Sequence, residues 1–276
     1  MTSRKPAPPL PFMELLADEL RRHREAAGLT QEQLARRIVF SESLVGMVET
    51  CRRIPKVEFI QACDTALRTG GALFRIWTRM VEGTYPAWFR PFADLEAAAS
   101  ALFEFEPQAV PGLLQTEDYA RAILRAGRPR DSDEEIERHV AARMARQAIL
   151  TGENPPLLWV VLNEAVLRRR VGGREVMRAQ LVRLVEASMS PHVVIQVLPF
   201  DMGEHAEMGG ARVIARLPDE GDIVYVEGPG SGQLIGIREE VAECALRFDL
   251  LRATALSPDE SVAMIRGMIS EMIGEG

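Results

Sequence analysis

Residues Gly28 to Pro55, GLTQEQLARRIVFSESLVGMVETCRRIP, constrain this chain more than any other stretch. The segment reads as two short helices joined by a tight turn. Leu34, Ala35 and Ile38 fall on one face of the first helix, and Val45 and Val48 on one face of the second. Thr30 stands at an N-cap position with Gln33 three residues on, the spacing of a capping box, and Ser41 caps the second helix in the same way. Ala35 sits where two steeply crossing helices admit only a small side chain. The second helix is short, polar at its start and built to be presented.

More helices flank the pair. Phe12, Leu15, Leu16, Leu20, His23 and Ala27 predict one before it, closed by Gly28 as a C-terminal cap. Val57, Ile60, Cys63 and Leu67 predict another after Pro55, and Leu73, Phe74 and Trp77 begin a fifth. His23 and Cys63 read as core or boundary residues. Over residues 12 to about 78 this arrangement resembles the lambda-repressor-like, or Xre-type, helix-turn-helix, whose second motif helix enters the DNA major groove. The resemblance implies double-stranded DNA as a partner and assigns roles. Gln31 matches a glutamine that binds backbone phosphate, and Ser41, Glu42, Ser43 and Met47 match the presented positions of the recognition helix. Arg52 and Arg53 lie where phosphate contacts are usual, and Glu49 matches an acid that holds the fold internally. Chemically, Ser41 and Ser43 can donate to phosphate or base edges, Glu42 can accept from a cytosine amine, and Met47 can touch a thymine methyl. The family commonly has glycine where this chain has Val39 and Cys51, and a β-branched residue in left-handed backbone costs on the order of 1–2 kcal/mol.

Charge fits that division of labour. The net charge of −7 over 276 residues is unpromising for a DNA-binding protein until it is split. Residues 1–70 hold 11 Lys+Arg against 9 Asp+Glu, whereas the remaining 206 hold 22 against 31. A small DNA-facing module attached to a larger acidic domain is the expected reading. Arg36/Arg37 and Arg52/Arg53/Lys56 cluster at either side of the presented helix. Three cysteines, Cys51, Cys63 and Cys244, show no paired spacing, which argues for a reducing compartment and against a zinc site. The longest apolar run, Leu157 to Leu162, is strand-sized, so no membrane partner is expected. Residues 1–11 read as a disordered Pro-rich arm without the apolar core of a signal peptide, and a cytoplasmic location follows.

After Trp77 the character changes. Tyr85-Pro86 and Arg90-Pro91 break helices, and the domain boundary is placed near residues 80–90. Helices are expected at 94–103, 116–126, 131–150, 173–188, 237–253 and 258–273. LLWVVLN, HVVIQVLPF, ARVIARL and DIVYVEG read as strands. The fold class is therefore α+β overall: an all-α five-helix domain over 12–80, then a mixed α/β domain over 85–276 with about four strands. VPGLLQTEDYARAIL, NEAVLRRRVGG and VIQVLPF resemble pieces of a domain of unknown function that follows Xre-type motifs in many bacterial, often filamentous soil-dwelling, regulators. That likeness implies a transcriptional regulator, commonly encoded beside a small companion protein.

Glu164, His192, Asp201, Glu204 and His205 supply acids and imidazoles in the second half, the last three in the loop DMGEHAEMGG. No HExxH, CxxC, GxGxxG or P-loop pattern joins them, so neither a catalytic role, a metal nor a cofactor is expected. A sensor or docking surface for a protein or small molecule is the reading that remains. The alternative is an enzymatic or toxin-antitoxin-like C-terminal module with DNA binding used for autoregulation. One recognition helix covers few base pairs, so a homodimer held through residues 85–276 is expected. The stripe Val262, Ile265, Ile269 and Met272, with Met264 and Met268 beside it, reads equally as its seam or as cover for the sheet of its own domain.

Overall fold

A computed structural model describes residues 11–82, 85–218 and 220–274. The expected arm, Pro11 apart, lies outside the described residues. The chain divides into two units, Met1–Tyr85 with Asp131–Ala145, and Pro86–Arg130 with Arg146–Gly276.

The first unit carries five consecutive helices: α1 (Pro11–Ala26), α2 (Gln31–Ile38), α3 (Glu42–Glu49), α4 (Val57–Leu67) and α5 (Ala72–Glu82). Their core is Leu16 and Leu20 of α1, Leu34, Ala35 and Ile38 of α2, Val45 and Val48 of α3, Phe59, Ile60 and Cys63 of α4, and Leu73 and Trp77 of α5. Asp64 of α4 starts α5. Its two oxygens accept from the backbone N–H groups of Leu73 (3.1 Å) and Phe74 (2.9 Å), two of the donors a helix leaves unpaired at its beginning. The indole N–H of Trp77 is satisfied by the carbonyl of Pro55 at 2.9 Å.

Two features depart from the sequence reading here. The buried face of α1 runs through Met13, Leu16, Ala17, Leu20 and Arg24, while Phe12 and Leu15 are exposed. An arginine on the inner face breaks the apolar periodicity, which shifts the apparent stripe by one residue. The helix α8 (Asp133–Arg146) follows later in the chain, yet its Ala142 joins this core and accepts a hydrogen bond from the Tyr85 hydroxyl at 2.9 Å.

The second unit is built on a mixed six-stranded sheet: β1 (Ala101–Glu106), β2 (Leu157–Asn163), β3 (Val193–Leu198), β4 (Arg212–Leu217), β5 (Gly221–Gly228) and β6 (Ser231–Ile235). The order is β3-β2-β1-β4-β5-β6; the first three are mutually parallel, and β4, β5 and β6 pair antiparallel. Two strands beyond the expected four are β1 and β6. The run AAASAL hid β1 inside a predicted helix, now α6 (Arg90–Ala98), and β6 is a short, mostly exposed edge strand with too few apolar residues to register.

Side chains alternate across the sheet as the pleat requires. Leu158, Val160 and Leu162 of β2 and Val193, Ile195 and Val197 of β3 point to one face. There they meet Tyr119 of α7 (Glu117–Gly127) and Met177, Leu181 and Leu184 of α10 (Arg174–Ala187). Ile265, Met268 and Met272 of α12 (Pro258–Gly274) join the same core. Phe105, Val161, Leu198, Ile214 and Val224 point to the other face, covered by Val241, Cys244, Phe248 and Leu251 of α11 (Arg238–Thr254). A five-residue helix, α9 (Glu164–Arg168), follows β2 directly. Ile265, Met268 and Met272 of the α12 stripe, with Met264 and Ile269 beside them, thus cover the sheet of their own unit, which bears out that reading of the stripe over the dimer seam.

Two buried amides in this unit are matched. Gln180 accepts from Thr116 N–H at 2.7 Å and donates to the Leu114 carbonyl at 2.8 Å. Gln196 accepts from the Trp159 indole at 2.8 Å and donates to the carbonyls of Leu256 (2.8 Å) and Arg252 (3.2 Å). Such pairings offset the desolvation that an unsatisfied buried amide would suffer, about 1–3 kcal/mol.

Candidate nucleic-acid interface

The interface is built on how α2 delivers α3. Thr30 caps α2 reciprocally with Gln33: Gln33 N–H donates to Thr30 Oγ1 (3.1 Å) and Thr30 N–H to Gln33 Oε1 (2.8 Å). Ser41 Oγ accepts from Leu44 N–H at 3.2 Å and starts α3, so its hydroxyl hydrogen is left to donate elsewhere. Between them Val39 adopts φ 60° and ψ 43°, the left-handed conformation, with its side chain 90% exposed. The turn therefore keeps the geometry that glycine would favour, and the chain bears the strain. Cys51, at φ 55°, does the same after α3.

Glu49 anchors the far end of α3. It is 2% exposed, and Arg24 Nε and Nη2 donate to its two oxygens at 2.6 and 2.9 Å. Gln31 Nε2 donates to Oε2 at 2.9 Å, and Arg21 Nη2 donates to the backbone carbonyl of Glu49 at 2.6 Å. Arg24 also donates to the Leu29 carbonyl at 2.8 Å, so one guanidinium ties α1, the loop before α2 and α3 together. The carboxylate in turn raises the pKa of Arg24 further, through its hydrogen bond. This is a fork-to-fork charge pair with every polar atom occupied, the geometry in which burial of charge is tolerated.

The structure places Gln31 across this joint rather than out in solvent. Its amide passes over Gly46, where an added Cβ would lie 3.2 Å from Gln31 Oε1. Glycine inside an eight-residue helix costs roughly 0.5–1 kcal/mol, and here it leaves room for the close approach of Gln31. Ser41, Glu42 and Ser43 are exposed together on the first turn of α3, and Met47 one turn on is half-buried. Arg52 and Arg53 are exposed just past α3, as is Arg37 at the end of α2, and none of the three has an ion-pair partner among the described residues. Arg36, by contrast, pairs with Glu32. Arg24, Arg21 and Gly46 were not singled out from the sequence. A charged residue at the i+4 position after Leu20 was the available signal for Arg24.

The second-half candidates do not converge. Glu164 is spent on structure, pairing with Arg168 at 2.5 Å and accepting from Phe200 N–H at 2.9 Å. His192 precedes β3, whereas Asp201, Glu204 and His205 follow it. Burial lowers the His205 pKa, and it raises those of the Cys51, Cys63 and Cys244 thiols, Cys63 to about 12. No group of three or more His, Cys, Asp or Glu able to hold a metal occurs among the described residues. Nor is any helix among them long and apolar enough to cross a membrane.

Comparison with known families matches residues 15–76 to a helix-turn-helix domain and residues 89–267 to a domain of unknown function, DUF5753. No curated protein and no solved structure matches the chain. The second match spans more than half of the sequence: this chain belongs to the DUF5753 family, and its helix-turn-helix domain marks it as a DNA-binding regulator.

Proposed function

We propose that the chain is a sequence-specific transcriptional regulator of the Xre type, acting in the cytoplasm as a homodimer on an inverted repeat. In this reading α3 enters the major groove. Glu42, Ser43 and Met47 face base edges, while Gln31, Ser41, Arg52 and Arg53 hold backbone phosphates. The observation that carries it is the Glu49 joint. It fixes one side of α3 to α1 and α2 and leaves Ser41–Ser43 and the following basic pair outward. A second copy supplies the second half-site about one helical turn away, ~34 Å. The acidic second unit binds rather than catalyses, receiving a signal from a small molecule or a small companion protein encoded nearby.

Full-length protein titrated by gel shift against DNA selected from a random library tests this. Specific binding should weaken steeply with salt, because Arg and Lys displace condensed counterions. Arg52→Ala and Arg53→Ala should weaken all sequences alike and flatten the salt slope. Salt-independent binding, or none to any duplex, overturns the reading. Light scattering reads the dimer separately, and a monomer at tens of micromolar rejects it.

A further inference from the structure

In open sheets with parallel strands, ligands bind outside the carboxyl ends of those strands. The second unit has a cleft of about 450 Å³ at that place, beyond the last residues of β1, β2 and β3, within the usual range for small-molecule sites of about 300–1,000 Å³. Leu198, Phe200 and Met208 give it apolar walls, and Phe200 and Met208 are 54% and 70% exposed at the surface.

The polar lining is selective. Glu207 is the charged residue of the lining, is 2% exposed, and has both carboxylate oxygens taken by Arg212 Nη1 at 2.6 Å. No lysine or arginine lines the cleft, so nothing in it would repay the desolvation of an anion. Asn163 Oδ1 accepts from Ala165 N–H at 2.9 Å, which leaves its Nδ2 as a donor without a partner among the described residues. His205 Nδ1 accepts from Glu207 N–H at 3.2 Å, so the neutral ring carries its hydrogen on Nε2 and offers a second donor. Both residues line the same cleft.

We propose that this cleft binds one uncharged, largely apolar molecule through an acceptor oxygen, such as a ketone, ester or amide carbonyl, taken by Asn163 and His205. The proposal rests on the reading of the second unit as a receiver and names the class of its ligand.

The test uses full-length protein and 6-propionyl-2-dimethylaminonaphthalene, an uncharged fluorophore with one ketone. Its counterpart lacking the ketone, 2-dimethylaminonaphthalene, is the control. One equivalent should bind saturably with blue-shifted emission. Asn163→Asp keeps an oxygen for Ala165 N–H but replaces the donor; it should weaken the ketone probe about tenfold and the control less than twofold. His205→Phe should act in the same direction. Met208→Glu, on an exposed side chain, should weaken both probes and serves if Asn163→Asp does not fold. Binding that fails to saturate overturns the proposal, as does equal loss of both probes in Asn163→Asp or no loss in Met208→Glu. A probe that binds as described yet leaves DNA affinity unchanged preserves the site and removes small-molecule signalling. A probe that does not bind removes the site and leaves the receiver to a protein signal.

Discussion

Glu49 of the first unit and Glu104 of the second are both buried, and the two are treated in opposite ways. Glu49 in the first unit faces two arginines and a glutamine, and its oxygens are fully engaged. Glu104 on β1 in the second unit is buried with Glu106 and Glu96 as electrostatic neighbours and Arg146 as the opposing charge. Burial first, then repulsion by Glu106 and Glu96, pushes the Glu104 carboxyl well above its ordinary range. A buried acid is a strut only where its donors are built in beside it; otherwise a proton neutralises it.

The largest effect should come from removing the strut. Glu49→Ala leaves Arg24 buried without its counter-ion and should cost the first unit about 3–5 kcal/mol. Hydrogen exchange would read it as lost protection across α1, α2 and α3; unchanged protection would put Glu49 on a level with Glu104. Met47→Ala comes next. It tests whether the face of α3 turned away from Glu49 reads DNA. Discrimination between operator variants should fall by about 1–3 kcal/mol at one base position with the fold intact. If preference among variants did not change, the assigned register would be wrong.

Val39→Gly follows. The same unit that is stiffened by Glu49 carries a valine at φ 60°, and glycine should stabilise it by about 1–2 kcal/mol, read from the denaturant midpoint. A net loss would mean that the backbone entropy of glycine in the unfolded chain outweighs the relieved strain.

The smallest effect, and the one with a pH signature, is Glu104→Gln. A carboxyl with a raised folded-state pKa keeps its proton in the folded chain and loses it in the unfolded one. Stability therefore drains as pH climbs from the ordinary value of 4.5 toward the raised one. The glutamine variant should melt higher than the parent at pH 7.5 and alike at pH 4.5. An advantage equal at both pH values would show that the Glu104 carboxyl titrates alike in the folded and unfolded chain.

The helical unit was the more legible half. Caps at Thr30 and Ser41 and the spacing of Leu34, Ile38, Val45 and Val48 are local signals, and local signals suffice for short helices. Glu49 carried its structural role through the family likeness, but its partner Arg24 lies 25 residues away and interrupts the apolar stripe of α1, which was found as a helix with its buried face one residue out. In the second unit the four apolar strands announced themselves, and β1 and β6 did not. One was masked by alanines and the other had too little to bury. The hydrogen bond from Gln31 to Glu49 was invisible in the sequence because their spacing means nothing until two helices cross. The stripe on α12 shows the converse: periodicity says that a face is buried, never against what. The cleft lies at the ends of three strands distant in sequence; its loop DMGEHAEMGG stood out in the sequence, whereas Asn163 and Leu198 on the strand ends did not.

Ala142 closes a core whose other members end at Met80, and that fixes an order of events during synthesis. At roughly 5–20 residues per second, translation takes about 3–12 s to pass from Tyr85 to Ala145. During that interval β1 and α7 emerge while the first unit lacks its last piece, and the Tyr85 hydroxyl waits for a carbonyl not yet made. A nascent chain thus completes its helix-turn-helix unit only after the second unit has begun. A ribosome that stalls before codon 142 leaves behind a helical unit with its core still open to water.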